Sequence, residues 1–130
     1  QVLAPGEKAI LAAANSVSDY NILHICGWSG HRNDLTWYKD YEVKTINWAA
    51  VVEGVPLEEG RKIFGGRAAL GGFGNLDNEV LYIGTKEEIQ AETKRILEKA
   101  GRTGIILGAD CTVPRDTNWE HFAWVREAAK

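Results

Sequence analysis

The sequence has no methionine, three prolines, two cysteines and no excess of positive charge. Each shortage excludes something. Two cysteines in 130 residues are too few for a disulfide scaffold. No apolar run approaches the roughly 18 residues that a membrane span needs. The 15 Lys and Arg are outnumbered by 18 Asp and Glu, a formal net charge of −3, so there is no electrostatic footprint for nucleic acid or an anionic membrane. No basic-then-apolar leader opens the chain, and the expectation is a cytoplasmic protein. The missing methionine, with Gln1 in first place, raises the expectation that the chain is part of a longer one. What is present is ordinary for a soluble globular domain: 45% hydrophobic and 25% charged residues, enough for one domain over 1–130.

Periodicity and capping predict alternating elements. Residues 5–17 read as a helix, with Pro5 in its first turn and Ile10, Leu11, Ala14 and Val17 as its apolar stripe. Residues 21–26 are too short for a helix, stop at Gly27 and read as a strand. A short helix over 33–41 precedes a strand over 43–48. Pro56 opens a helix that Gly65 and Gly66 close, and Ala68, Ala69 and Leu70 form a third strand running into a glycine-rich loop. Thr85 and Glu88 make a capping box, ahead of an apolar face of Ile89, Ile96, Leu97 and Ala100. Residues 105–107 are the fourth strand. Thr117 and Glu120 suggest a second capping box, for a last helix that buries Phe122, Ala123 and Val125. The order is a helix and then four βα units. Crossovers of this length join parallel strands. Four βα units make half of a (β/α)8 barrel or a small open sheet. The half-barrel is favoured, because the first strand is apolar on one face only: Leu23 and Ile25 point one way, Ile22, His24 and Cys26 the other.

That second face carries chemistry. His24 and Cys26 sit two residues apart on one side of a strand, with Cβ atoms roughly 7 Å apart. Cys111 follows the fourth strand, which in a parallel sheet is the same, C-terminal end. One imidazole and two thiols suit Zn²⁺ and leave one tetrahedral position open, as in a catalytic zinc site. Spacing alone leaves other readings open: small buried cysteines, a hydrogen-bonded core histidine, or a disulfide. Asn75 and Asp77, in the loop after the third strand, suit either substrate binding or turn chemistry. Asn47 and Trp48, at the end of the second strand, suit either pocket lining or packing. Asp110 is placed to orient His24 as a carboxylate behind the metal ligand. His31, on the loop after Cys26 with Trp28, reads as a solvated side chain. Trp119 and Trp124 read as core or interface residues.

Four stretches resemble the C-terminal half of the uroporphyrinogen decarboxylase superfamily. They are Ile22-Leu23-His24-Ile25-Cys26-Gly27, Gly74-Asn75-Leu76-Asp77, Gly84-Thr85-Lys86-Glu87-Glu88-Ile89 and Ile106-Leu107-Gly108-Ala109-Asp110-Cys111-Thr112-Val113-Pro114. The likeness runs from about residue 15 to the end. It implies strands five to eight of a (β/α)8 barrel, with the N-terminal half of the barrel, or a second copy in a homodimer, as partner. The superfamily holds cofactor-free decarboxylases of uroporphyrinogen III and zinc-dependent enzymes that move a methyl group from a methyl-corrinoid protein to a thiol such as coenzyme M. The second branch binds zinc through H-x-C on one strand and a distant Cys, which correspond to His24, Cys26 and Cys111. Decarboxylases carry a histidine after the last strand in a Leu-Gly-His-Gly context, where this chain has Leu107-Gly108-Ala109-Asp110. The resemblance therefore implies a zinc methyltransferase, with methylcobalamin on a partner protein as donor. A porphyrinogen decarboxylase and a non-catalytic fragment are the alternatives.

Overall fold

A computed structural model describes residues 2–28 and 30–130. Its centre is one sheet of four parallel strands: β1 (Ile22–Ile25), β2 (Thr45–Trp48), β3 (Ala68–Phe73) and β4 (Ile105–Ala109). Their spatial order is the chain order, β1-β2-β3-β4, with no reversal. A doubly wound sheet reverses its order partway. With crossovers of the usual right hand, an unbroken order puts the crossover helices on one side of the sheet. The result is an α/β fold with the layout of half a (β/α)8 barrel.

The helices are α1 (Ala4–Asn15), α2 (Ala50–Glu53), α3 (Leu57–Ile63), α4 (Val80–Ile83), α5 (Lys86–Ala100) and α6 (Trp119–Ala128). The capping box on α5 forms as the sequence predicts: Thr85 N donates to Glu88 Oε2 at 2.8 Å, and Glu88 N to Thr85 Oγ1 at 3.3 Å. The second box does not. Asn118 caps α6 by accepting from Glu120 N at 3.0 Å, while Thr117 Oγ1 donates to Pro114 O at 2.7 Å. The frame lies one residue later than expected, because an Asn side chain reaches the second amide of a helix without help from an acid at the third. Of the residues α6 was expected to bury, Phe122, Ala123 and Val125 are half-buried, and His121 is the buried one.

Other departures have local causes. The expected helix over 33–41 is a single 3-10 turn (Leu35–Tyr38), capped by Asp34. The four-residue helices α2 and α4 are too short to leave a periodic signature. Strand β3 runs three residues further than expected, since Gly71 and Gly72 pair with Leu107 and Gly108 instead of starting a loop. The apolar stripe of α1 is mostly unused: Ile10 is 74% exposed and Val17 85%. This helix precedes β1 and is no crossover between two strands, so only Leu11 reaches the core.

The core lies between sheet and helices, where Ile25, Ile46, Trp48, Ala69 and Phe73 meet Leu57, Phe64 and Ile96. Among the described residues no helix covers the opposite face of the sheet. Ile22 is 53% exposed there and Ile106 46%. Among the described residues no helix is long and apolar enough to cross a membrane.

Candidate metal centre

Strand β1 alternates in burial, and the alternation decides where its chemistry goes. Ile25 turns into the core and His24 stands on the open face, with Cys26 just past the strand end on the same side. The parallel register sets His24 beside Asn47 of β2 and Asn47 beside Leu70 of β3. Two hydrogen bonds follow this row. The His24 Nδ1 meets Asn47 Oδ1 in a short contact, and Asn47 Nδ2 donates to the Leu70 carbonyl at 2.9 Å. The second bond orients the amide, because only its nitrogen can donate to a carbonyl. Its oxygen therefore faces the ring, so Nδ1 carries the imidazole proton. The Nε2 lone pair is left free on the far side.

That lone pair points into a cluster. His24 Nε2 lies 3.5 Å from Cys111 Sγ, and the two sulfurs are 3.9 Å apart. All three donor atoms lie within 4.8 Å of one another. In a flat four-stranded sheet the outer strands would stand about 14 Å apart. The meeting of Cys26 and Cys111 therefore needs curvature and a Cys111 that leans inward from beyond β4. Both cysteines are free, and their separation is nearly twice a disulfide bond length.

Two of the three edges of the donor set match a tetrahedral zinc. Bond lengths near 2.3 Å to sulfur and 2.0–2.1 Å to nitrogen imply edges of about 3.8 Å between sulfurs and about 3.6 Å between sulfur and nitrogen. The observed 3.9 and 3.5 Å are close to both. The charge argument agrees. Cys111 pushes the Cys26 thiol above its ordinary value, first by hydrogen bonding and then by like charge, with burial adding to both. Two adjacent thiolates need a cation, and a dication with two thiolates and a neutral imidazole sums to zero.

Asp110 anchors the Cys111 side. It is fully buried, and its backbone N–H reaches Phe73 O at 2.8 Å. Its carboxylate oxygens accept from Gly72 N at 2.9 Å and Val51 N at 2.8 Å. Burial pushes its pKa up to about 6 against the pull of those two amides, with the charge of Glu79 adding to the rise. A Cβ at Gly71, where φ is +137°, would lie 3.0 Å from Asp110 Oδ1, so this seat depends on a glycine. The expected contact between Asp110 and His24 is absent. Both carboxylate oxygens are held by backbone amides, of Gly72 in β3 and Val51 in α2, and Asn47, the register neighbour of His24, takes the role instead.

Of the two readings of Trp48, the structure shows packing and not pocket lining. Strand alternation puts it on the face of Ile46, fully buried, with its ring against Phe64 and its Nε1 donating to Val55 O at 2.8 Å. It is core and lines no part of the cluster. Asn75 Nδ2 donates to Thr112 O at 3.1 Å, tying the loop after β3 to the segment that carries Cys111. Asp77 is exposed in a turn. Trp28 and His31 pair across a one-bridge turn, rings 5.3 Å apart, and His31 stands outside the donor cluster. Trp119 is exposed, while Trp124 stacks on His121.

The sequence reading passed over two residues, Asn33 and Glu53, which brace the end of β1. The available signal was Glu53 as the single charge in the otherwise apolar stretch 48–55.

Over residues 1–130 the chain matches the family model described as uroporphyrinogen decarboxylase (URO-D). The match takes in the N-terminal helix, ahead of the stretches in which the resemblance was first read. No curated protein matches the chain.

Proposed function

The chain belongs to the uroporphyrinogen decarboxylase family, and from that premise we propose that it forms part of a zinc-dependent methyltransferase. The methyl group would come from a methyl-corrinoid protein and pass to a thiol or similar acceptor. One observation carries this reading: the donor atoms of His24, Cys26 and Cys111 lie within 4.8 Å of one another, with Cys111 Sγ 3.9 Å from Cys26 Sγ and 3.5 Å from His24 Nε2, close to two edges of a tetrahedral zinc site. Three protein donors leave the fourth position for an acceptor.

His24 would supply a neutral imidazole. Asn47 holds its Nδ1 proton and so keeps Nε2 available. Cys26 and Cys111 supply the two negative charges, and Asp110 fixes the backbone on which Cys111 rides. Zinc bound there would hold an acceptor thiol as its thiolate, a nucleophile at neutral pH. The cobalt chemistry would belong to the corrinoid of the partner protein. Asn75, bonded to the carbonyl of Thr112 next to Cys111, and Asp77 in the same loop are proposed to meet the acceptor. The open face of the sheet is proposed to meet the other half of a barrel or a second copy of this one.

The test is zinc content per chain on reduced, chelator-washed protein. About one zinc per chain is expected, lost in Cys26→Ser and in Cys111→Ser. Methyl transfer from methylcobalamin to coenzyme M by the whole protein should be lost in the same variants. A second reading rests on the family's description, which names a decarboxylation. Coproporphyrinogen formed by metal-free protein would establish it and end the methyltransferase reading.

A further inference from the structure

Resting on the reading of the three donors as zinc ligands, we propose that Glu53 is a positioning residue for Cys26 and acts through Asn33. Cys26 lies one residue beyond the ladder, whose last pair is Ile25 with Trp48. Its backbone is therefore held by something other than β2. The partner is Asn33: Nδ2 donates one hydrogen to the Cys26 carbonyl at 3.0 Å and the other to Glu53 Oε1 at 2.6 Å. The Asn33 backbone N–H donates to Glu53 Oε2 at 2.8 Å. Both oxygens of one carboxylate thus grip one residue by main chain and side chain together.

A carboxylate that is 4% exposed is costly to bury unless its hydrogen bonds are made. Here they are spent on a loop 20 residues away in the chain. Close approach on the other side of Cys26 completes the clamp. A Cβ at Gly27 would lie 2.4 Å from Ala49 Cβ and 3.1 Å from Glu53 Oε1, so the chain leaving Cys26 is pressed onto the turn that enters α2. The two thiols are then braced alike. Each sits just past a strand end, and each is backed by a buried carboxylate that accepts backbone amides: Asp110 directly beside Cys111, Glu53 through Asn33 for Cys26. Outer partners of this kind set metal affinity by fixing where the ligand stands.

The experiment compares wild type, Glu53→Gln and Asn33→Ala by zinc competition against a chromophoric chelator, by the absorption spectrum with Co(II) in place of zinc, and by denaturant melts of the metal-free chains. Glu53→Gln turns an NH2 group toward an Asn33 donor. Asn33→Ala keeps the backbone bond to Glu53 and removes the bond to Cys26. Each variant should bind zinc at least about tenfold more weakly, with an altered Co(II) spectrum. Zinc affinity within about twofold of wild type and an unchanged Co(II) spectrum in Asn33→Ala would overturn the proposal, whatever the melts show, because a purely structural brace moves the melt alone. Asn33→Ala decides the matter by itself should Glu53→Gln not fold. Wild type that binds neither metal would overturn the reading of the three donors, and this role with it, whereas wild-type binding with unaltered variants overturns this role only.

Discussion

His24 and Ile25 are neighbours in the chain, yet Ile25 is buried at 3% and His24 stands in the open. The same division runs across the whole sheet. On the helix side Ile46, Trp48, Ala69 and Phe73 are almost wholly buried, and the apolar surface they remove from water drives folding. On the other side Ile22 and Ile106 stay half-exposed, and the polar groups pair among themselves along the row His24, Asn47, Leu70. The difference teaches where each kind of residue is free to vary in purpose. The packed face is committed to stability. The open face is relieved of that task and holds donors whose geometry suits a ligand.

The sharpest way to break this comparison is Trp48→Ala. It removes a fully buried indole and its bond to Val55 O, and it should cost about 3–5 kcal/mol, read as a large drop in the denaturant midpoint. A shift under about 1 kcal/mol would show that the helix side does not carry the fold. Next comes Asn47→Ala on the open side. Loss of the Nδ1 partner should weaken zinc binding by roughly 10–100-fold, measured by chelator competition. Unchanged affinity would mean that the imidazole needs no tautomer lock.

A smaller effect lies at α1, outside both faces. Tyr41 donates to Glu7, and that carboxylate, with burial, pushes the phenol up to about 12. The sign follows from the raised value. The contribution is fully present below the ordinary tyrosine value near 10 and is lost as pH rises through about 12. Tyr41→Phe should cost about 1 kcal/mol near neutrality, and an ultraviolet titration of wild type should show Tyr41 ionising last, after Tyr82, which its bond to Asp116 also raises. Coincident ionisation of all tyrosines would contradict it. The smallest effect is expected for Ile106→Lys. On the open face of this chain it should shift stability by no more than about 0.5 kcal/mol, and a loss as large as that of Trp48→Ala would show the face to be covered.

Much of this layout was legible beforehand, and the residues show why. The capping box at Thr85 and Glu88, the glycine stop at Gly65 and Gly66, and the alternation through His24, Ile25 and Cys26 are local, so they read directly from spacing. The misreadings were of two kinds. Some were one-residue shifts between equivalent local solutions, as with Asn118 replacing Thr117 as the cap of α6. Others depended on which face a strand end presents. Trp48 was left open between pocket and packing and belongs to the core, because it shares its parity with Ile46 and not with Asn47. Asp110 was paired with His24, but the amides of Val51 and Gly72 reach its carboxylate.

The sequence by itself determined the order of the four strands and the longer helices, the parallel α/β class and the three donor types, since hydrophobic period, caps and residue chemistry act over a few residues. Tertiary structure alone decided that His24 and Cys111, 87 positions apart, stand in contact, that Asn47 holds the imidazole, and that Glu53 and Asn33 hold the backbone of Cys26. Those are properties of strand register and sheet curvature. Both arise only when all four strands are assembled, because a hydrogen bond between strands selects its partner by position in the sheet and not by distance along the chain.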